Sequence, residues 1–261
     1  MASFNVPSTS KGKVLVVLSD ADHFVVNKPD GETSREPTGV FLQELTKPLQ
    51  QILDAGYDVT FASPTGKGPS IDPLSESTFV AYMGNFISKS RDQKLFDKMS
   101  TENNLSSPRP FSSITDQELS TFLGVFIPGG HAPLTDLGEN ADLGRILLHF
   151  HDSQKPTATL CHGPFALLST KHAPNSAGFA YKGYKMTSWS DAEESLIESL
   201  KGGELPAKVE STLANEGAEM ISTVGKKLGS ITVDRELISG ANPMCANSLG
   251  TEFVQKLKAT A

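Results

Sequence analysis

Cysteine is scarce in this chain of 261 residues: two thiols, Cys161 and Cys245, stand 84 positions apart and form neither a C-x-x-C pair nor a zinc-ligand spacing. That scarcity argues against a disulfide framework and for free thiols in a reducing compartment, so a cytoplasmic location is expected. No basic tract offsets the formal charge of −7, which argues against nucleic acid or an anionic membrane surface as partner. No stretch approaches the roughly 20 apolar residues that a membrane span needs. The opening "MASFNVPSTSKGK" is polar and lacks the apolar core of a secretory signal. Internal repeats and low-complexity segments are also missing. What is present is ordinary for a soluble globular protein, with 38% hydrophobic and 20% charged residues and ample length for a core.

The pattern along the chain is strand–helix alternation. "KVLVVLS" (13–19) is an almost continuous apolar, β-branched run, as a strand buried on both faces should be. A polar loop is expected over 20–37. "TGVFLQELTKPLQQILDAG" (38–56) spaces its apolar residues as a helix does, with Pro48 inside and Gly56 at the C′ position. "YDVTFAS" (57–63) is a second strand, which completes a βαβ opening and predicts a parallel sheet. Residues 64–118 break the alternation with polar, Pro-rich sequence and read as a small cap inserted over one edge of the sheet. The alternation then resumes: strands in "LGVFIPGG", "PTATLC" and "YKMTSW", helices in "ADLGRILLHFHDS", "GPFALLST" and "SDAEESLIESL", a hairpin through Asp234-Arg235, and a C-terminal helix in "NPMCANSLGTEFVQKLKA". The sum is one α/β domain with a mostly parallel central sheet and helices on both faces.

Ligands of such sheets bind outside the carboxyl ends of the strands. Three sets of residues fall there: Gly129-Gly130-His131, Cys161-His162-Gly163 and Trp189-Ser190-Asp191. A residue at a sharp strand-to-helix turn projects from the sheet edge, where unpaired backbone N–H groups favour a thiolate and can bind an oxyanion. "Strand-Cys-His-Gly-Pro-helix" therefore reads as a nucleophile elbow rather than a packed thiol. His162 needs an acid to orient it, and Asp191 and Glu194, at the start of the next helix, are both candidates. Glu44 sits among apolar neighbours; on a buried face it would hold a raised pKa and a proton to share with the sulfur. Cys245 reads as a core thiol. His149 and His151, two apart on a helix, do not face each other and read as structural.

"IPGGHAPLTDL", "ATLCHGPFALL", "MTSWSDAEE" and "LISGANPMCANSLGTEFVQKL" resemble the ThiJ/PfpI superfamily, also described as class I glutamine amidotransferase-like. With the 38–66 segment they resemble its branch of heat-shock chaperones that act as glyoxalase III. The resemblance implies a flavodoxin-like sandwich, a nucleophile at Cys161 flanked by His162, and a glutamate at Glu44 that hydrogen-bonds the sulfur. It implies a triad acid at Glu194, with Asp191 as second choice, and an oxyanion site drawing on Gly130 and His131. It also implies a homodimer. Some bacterial relatives carry a two-histidine, one-carboxylate metal site with a histidine on the helix of Glu44. That helix has no histidine here, so no metal and no cofactor is expected.

The function so implied is a glutathione-independent lyase acting on a small 2-oxoaldehyde: methylglyoxal and water give lactate through a Cys161 hemithioacetal. The carboxyl of Glu44 is expected to hold the shared proton while Cys161 rests as a thiolate near neutral pH. Two other classes compete: a stress-responsive holdase or redox sensor, and a Cys-His-Glu amidase or peptidase.

Overall fold

A computed structural model describes residues 10–78, 81–221 and 230–260. Most of the polar opening segment (1–9) and two residues of the apolar island "TFVAYM" (79–80) lie outside them. The strands are β1 (Lys13–Val17), β2 (His23–Asn27), β3 (Thr33–Pro37), β4 (Asp58–Ser63), β5 (Arg109–Pro110), β6 (Phe122–Ile127), β7 (Thr157–Leu160), β8 (Lys185–Met186), β9 (Glu219–Met220), β10 (Ile231–Asp234) and β11 (Leu237–Gly240). The central sheet runs β10-β11-β7-β6-β1-β4-β5. Each of its pairings is parallel except β10 with β11, the expected hairpin.

The apolar run of β1 explains its central place. Leu15 and Val17 point into one core, Val14 and Val16 into the other. The first core is closed by the Ala141–Asp152 helix and the 163–172 segment, the second by the Leu42–Asp54 and Ala246–Thr260 helices. A strand whose two faces are both dry needs apolar residues at every position, which is what "VLVV" supplies. The result is the flavodoxin-like sandwich that the sequence predicts.

Three elements differ from the sequence reading. The 20–37 loop contains an antiparallel hairpin, β2 with β3. The run after Cys161 is a 3₁₀ segment, Gly163–His172, in which the Phe165 N–H donates to the His162 carbonyl at 3.0 Å. "YKMTSW" yields only β8, which pairs with β9 outside the central sheet. The 64–118 segment supplies the edge strand β5 and a helix, Phe86–Glu102, that packs against Leu42–Asp54.

Candidate active site

The carboxyl ends of β6 and β7 lie side by side, and the site is built there. β7 ends at Leu160, and Cys161 follows with φ +60°. A non-glycine residue in this left-handed region costs about 1 kcal/mol or more. Two backbone hydrogen bonds hold it: Cys161 N–H donates to the Gly240 carbonyl at the end of β11, and Trp189 N–H donates to the Cys161 carbonyl, each at 2.9 Å. The turn sets the sulfur beside His162 and Glu44. Gly163 is needed because a Cβ there would lie 2.6 Å from the Ile127 carbonyl oxygen of β6.

The turn after β6 meets the helix of Glu44. Gly129 N–H donates to Glu44 Oε2 at 3.1 Å, and the Gly129 carbonyl accepts from Phe41 N–H at 3.1 Å. A side chain at position 129 would collide with both reactive groups: its Cβ would fall 2.6 Å from Glu44 Oε2 and 2.7 Å from Cys161 Cβ. Glu44 is wholly buried, in the first turn of its helix, beside the Cys161 sulfur. Burial raises its pKa to about 8 against the pull of the sulfur and of Gly129, so the carboxyl is protonated at neutral pH.

His162 links sulfur to acid. Its Nδ1 lies 3.3 Å from Cys161 Sγ, and its Nε2 lies 2.7 Å from Glu194 Oε2. His131 Nε2 lies 3.0 Å from the other oxygen, Oε1. Burial pushes the Glu194 carboxyl up, but bonds from His131 and His162 outweigh it and hold the pKa at about 2. A carboxylate only accepts, so both Nε2 atoms are donors. Burial and the electrostatic influence of His131 lower His162 to about 4 despite Glu194. A neutral ring that donates through Nε2 leaves Nδ1 as an acceptor facing the sulfur.

Cys161 departs from the sequence reading. Burial first, then its coupling to the adjacent Glu44 carboxyl, push its thiol up; the Gly130 N–H pulls the other way. The resting sulfur is a protonated thiol, not the expected thiolate. The cause is local: the residue is only 4% exposed and packs against the Glu44 carboxyl.

Of the residues singled out from sequence, Cys161, His162, Glu44, Glu194, Gly130 and His131 converge. Asp191 does not. Its Oδ1 accepts from Ser211 N–H at 3.2 Å, so this carboxylate serves the neighbouring Val209–Asn215 helix rather than the sulfur or an oxyanion. Helical phase separates the two acids: Glu194 and Glu198 are the buried residues of the Asp191–Lys201 helix, with Ser190 and Glu193 forming its capping box. Three contacts were not anticipated. The His131 side chain, not only the backbone of its turn, reaches Glu194. Phe24 of β2 stacks on His131 with ring centroids 4.7 Å apart. The Trp189 ring stacks on His162 at 5.6 Å. The β-branched and aromatic run "FVV", two residues ahead of Pro29-Asp30-Gly31, was the available signal for the hairpin that carries Phe24.

His131, His162 and Glu194 place ligand atoms within 4.8 Å of one another and so could hold a metal ion. In the geometry observed they are joined by direct hydrogen bonds, as a proton relay. A cavity of about 930 Å³ lies elsewhere, between the Leu42–Asp54 and Phe86–Glu102 helices, floored by Leu53, Leu95 and Met99. It holds no thiol or imidazole, so convergence of polar groups, not volume, locates the candidate site.

An α/β sandwich with a strained, strand-end cysteine backed by an imidazole, a carboxylate and a buried glutamic acid defines a class of thiol proteins. The chain belongs to the ThiJ/PfpI family-like group, whose pattern it matches over residues 36–216. It is 27% identical over 259 residues to the protein/nucleic acid deglycase HchA of Staphylococcus aureus, covering 95% of this chain and 80% of that protein. Glyoxalase III of Candida albicans shares the fold, with a TM-score of 0.71 and 23% identity over 94% of this chain and 97% of that one. So does the 24 kDa rapid encystment protein of Francisella tularensis, with a TM-score of 0.71 and 22% identity over 94% of this chain and 99% of that one.

Proposed function

We propose that the chain is a glyoxalase III-type enzyme that converts methylglyoxal and water to lactate. The observation that carries this reading is the thiol set between two different proton carriers, the His162 Nδ1 at 3.3 Å and the buried acid Glu44. His162 takes the S–H proton while Cys161 sulfur attacks the aldehyde carbon. Glu44 gives its proton to the new alkoxide, which completes the hemithioacetal and leaves Glu44 a carboxylate. That carboxylate removes the hydrogen from the former aldehyde carbon and returns it to the adjacent carbon, through an enediol, and recovers its own proton from the water of the final step. The product of that step is a lactoyl thioester. Water cleaves it, releasing lactate and regenerating the thiol. Glu44 is the proton shuttle between the two carbons. Glu194 would keep His162 in the useful tautomer, and the Gly130 N–H, which bonds the Cys161 sulfur, would turn to the oxyanion. Every step balances without oxidant, metal or glutathione.

A second reading is favoured by the deglycase relative. The same thiol would act on a carbonyl adduct already formed on an amine of a protein or nucleic acid. Both readings make the chain an enzyme of reactive carbonyls and differ in what delivers the carbonyl. The test is purified protein with methylglyoxal alone, followed by lactate release, against a preformed lysine adduct freed of dicarbonyl. Lactate from the first mixture supports the glyoxalase reading. Amine release from the second without it supports the deglycase reading. Turnover of neither removes both. The expected homodimer belongs to this proposal and is checked by mass in solution.

A further inference from the structure

The formal charge of −7 belongs to the whole chain, and one helix departs from it. Three large apolar side chains crowd the start of the Phe86–Glu102 helix: Met83, Phe86 and Ile87 are 83%, 66% and 77% exposed. Met83 holds φ +47°, a left-handed conformation that is unfavourable for a residue with a Cβ. Ile87, Arg91, Lys94 and Lys98 follow one another at i, i+4, i+7 and i+11, a single stripe turned away from the buried Asp92 and Met99. Of the five arginines, Arg91 alone has no side-chain hydrogen bond or ion pair among the described residues; Arg35, Arg109, Arg145 and Arg235 each have one. Lys94 has none there either, and Lys98 pairs with Glu102 at 3.7 Å. Between residues 83 and 94 the single acid, Asp92, is buried, so the outer surface of this stretch carries positive charge only.

We propose that this tip and stripe form a peripheral docking surface for an anionic lipid bilayer. Met83, Phe86 and Ile87 enter the boundary of the acyl chains, while Arg91 and Lys94 lie level with the lipid phosphates. Cations without a partner complement the negative potential of such a surface, whereas the cores of protein interfaces are depleted of lysine. The apolar side chains protrude rather than line a hollow, and a fluid acyl boundary accepts protruding groups without a matching shape. The apolar surface also continues inward. Phe86, Ile87, Arg91 and Lys94 edge the cavity floored by Leu53, Leu95 and Met99, which leaves room for a chain beside them. The acids of that cavity come from elsewhere: Asp54 from the Leu42–Asp54 helix, Asp58 from β4, and Glu102 from the last turn of the Phe86–Glu102 helix. No helix among the described residues is long and apolar enough to cross a membrane, so the contact is with the surface. None of these side chains belongs to the candidate active site, and the proposal does not rest on the chemistry read for Cys161.

The experiment is co-sedimentation of the full chain with vesicles of phosphatidylcholine and phosphatidylserine in equal parts, set against phosphatidylcholine alone. Pelleting with the mixed vesicles only, and release at high salt, are expected. Arg91→Ala combined with Lys94→Ala is expected to lower the partition coefficient by about 25-fold, about fivefold for each cation. Ile87→Ser is expected to lower it ~10-fold or more, the scale of one buried aliphatic side chain. Leu200→Ser, at a leucine 76% exposed on the Asp191–Lys201 helix, is expected to track the parent. All four positions are exposed, so the variants keep the fold, which circular dichroism checks, and their turnover in solution matches that of the parent. A parent that stays in the supernatant with both kinds of vesicle, equal binding to both, or a Leu200→Ser variant as weak as Ile87→Ser overturns the proposal. So does a parent dimer that Ile87→Ser converts to monomer without any vesicle binding, which would make this face a contact between copies of the chain.

Discussion

Two buried thiols stand beyond the ends of neighbouring parallel strands, and of the two only Cys161 has an imidazole and a buried carboxyl beside it. Cys161 follows β7 with φ +60°, faces His162 and lies against Glu44. Cys245 comes shortly after β11, in a 3₁₀ turn, and its thiol donates to the Ser230 carbonyl at 3.1 Å. Burial raises both and their exposures, 4% and 2%, barely differ. Neither burial nor position near a strand end separates the proposed nucleophile from the packed thiol. A proton acceptor, a second acid and a left-handed backbone do.

The largest expected effect tests that contrast directly. Cys161→Ala should abolish lactate production and leave the circular dichroism spectrum intact, whereas Cys245→Ala should keep turnover within a few-fold. Loss of turnover in the Cys245 variant alone would reverse the assignment. Next comes Glu44→Gln, which keeps the size of the side chain and a donor but cannot shuttle a proton. Turnover is expected to fall by ~100-fold or more, the scale of a lost general acid–base group. Retention within a few-fold would leave Glu44 a mere neighbour of the sulfur and give the proton transfer to His162.

The same substitution has a smaller effect on stability, with a defined sign. Folded Glu44 keeps its proton up to about pH 8, while its ordinary value is 4.5. The native state therefore holds a proton between these values that the unfolded chain has released. The contribution is complete below the ordinary value and is lost as pH rises through the folded one. Relative to the parent, Glu44→Gln should gain stability on the order of 1 kcal/mol per pH unit within this window. Urea midpoints near its two ends check this, and parallel curves would disprove it. The smallest effect is that of a chelator: prolonged treatment should leave turnover unchanged. Activity that fell and returned with zinc would place an ion on His131, His162 and Glu194.

Fold and site were legible to different depths. The central strands announced themselves because both their faces are dry, and continuous apolar runs are hard to place otherwise. The 23–37 hairpin was hidden because β3, "TSREP", alternates between exposed and half-buried polar side chains. The Phe86–Glu102 helix was hidden for a similar reason: only Asp92 and Met99 are buried along its 17 residues. At the site, Cys161 and His162 were readable from one local turn. Glu44 needed a resemblance, because its burial is a property of the packed helix and not of the residues around it. The choice between Asp191 and Glu194 turned on the partner each acid found, Ser211 for one and His162 for the other. The two-imidazole grip on Glu194 joins residues 63 positions apart, a distance over which local pattern carries no information.

Trp189 is the one tryptophan in the chain. Its backbone N–H holds the Cys161 carbonyl, and its ring lies over His162 at an interplanar angle of 29°. An indole is sensitive to a cation placed over its face. The indole emission of this molecule, excited beyond tyrosine absorption, therefore arises from a single fluorophore stacked on the histidine that the proposed reaction would charge. The chain carries its own optical gauge of that charge, legible without a dye.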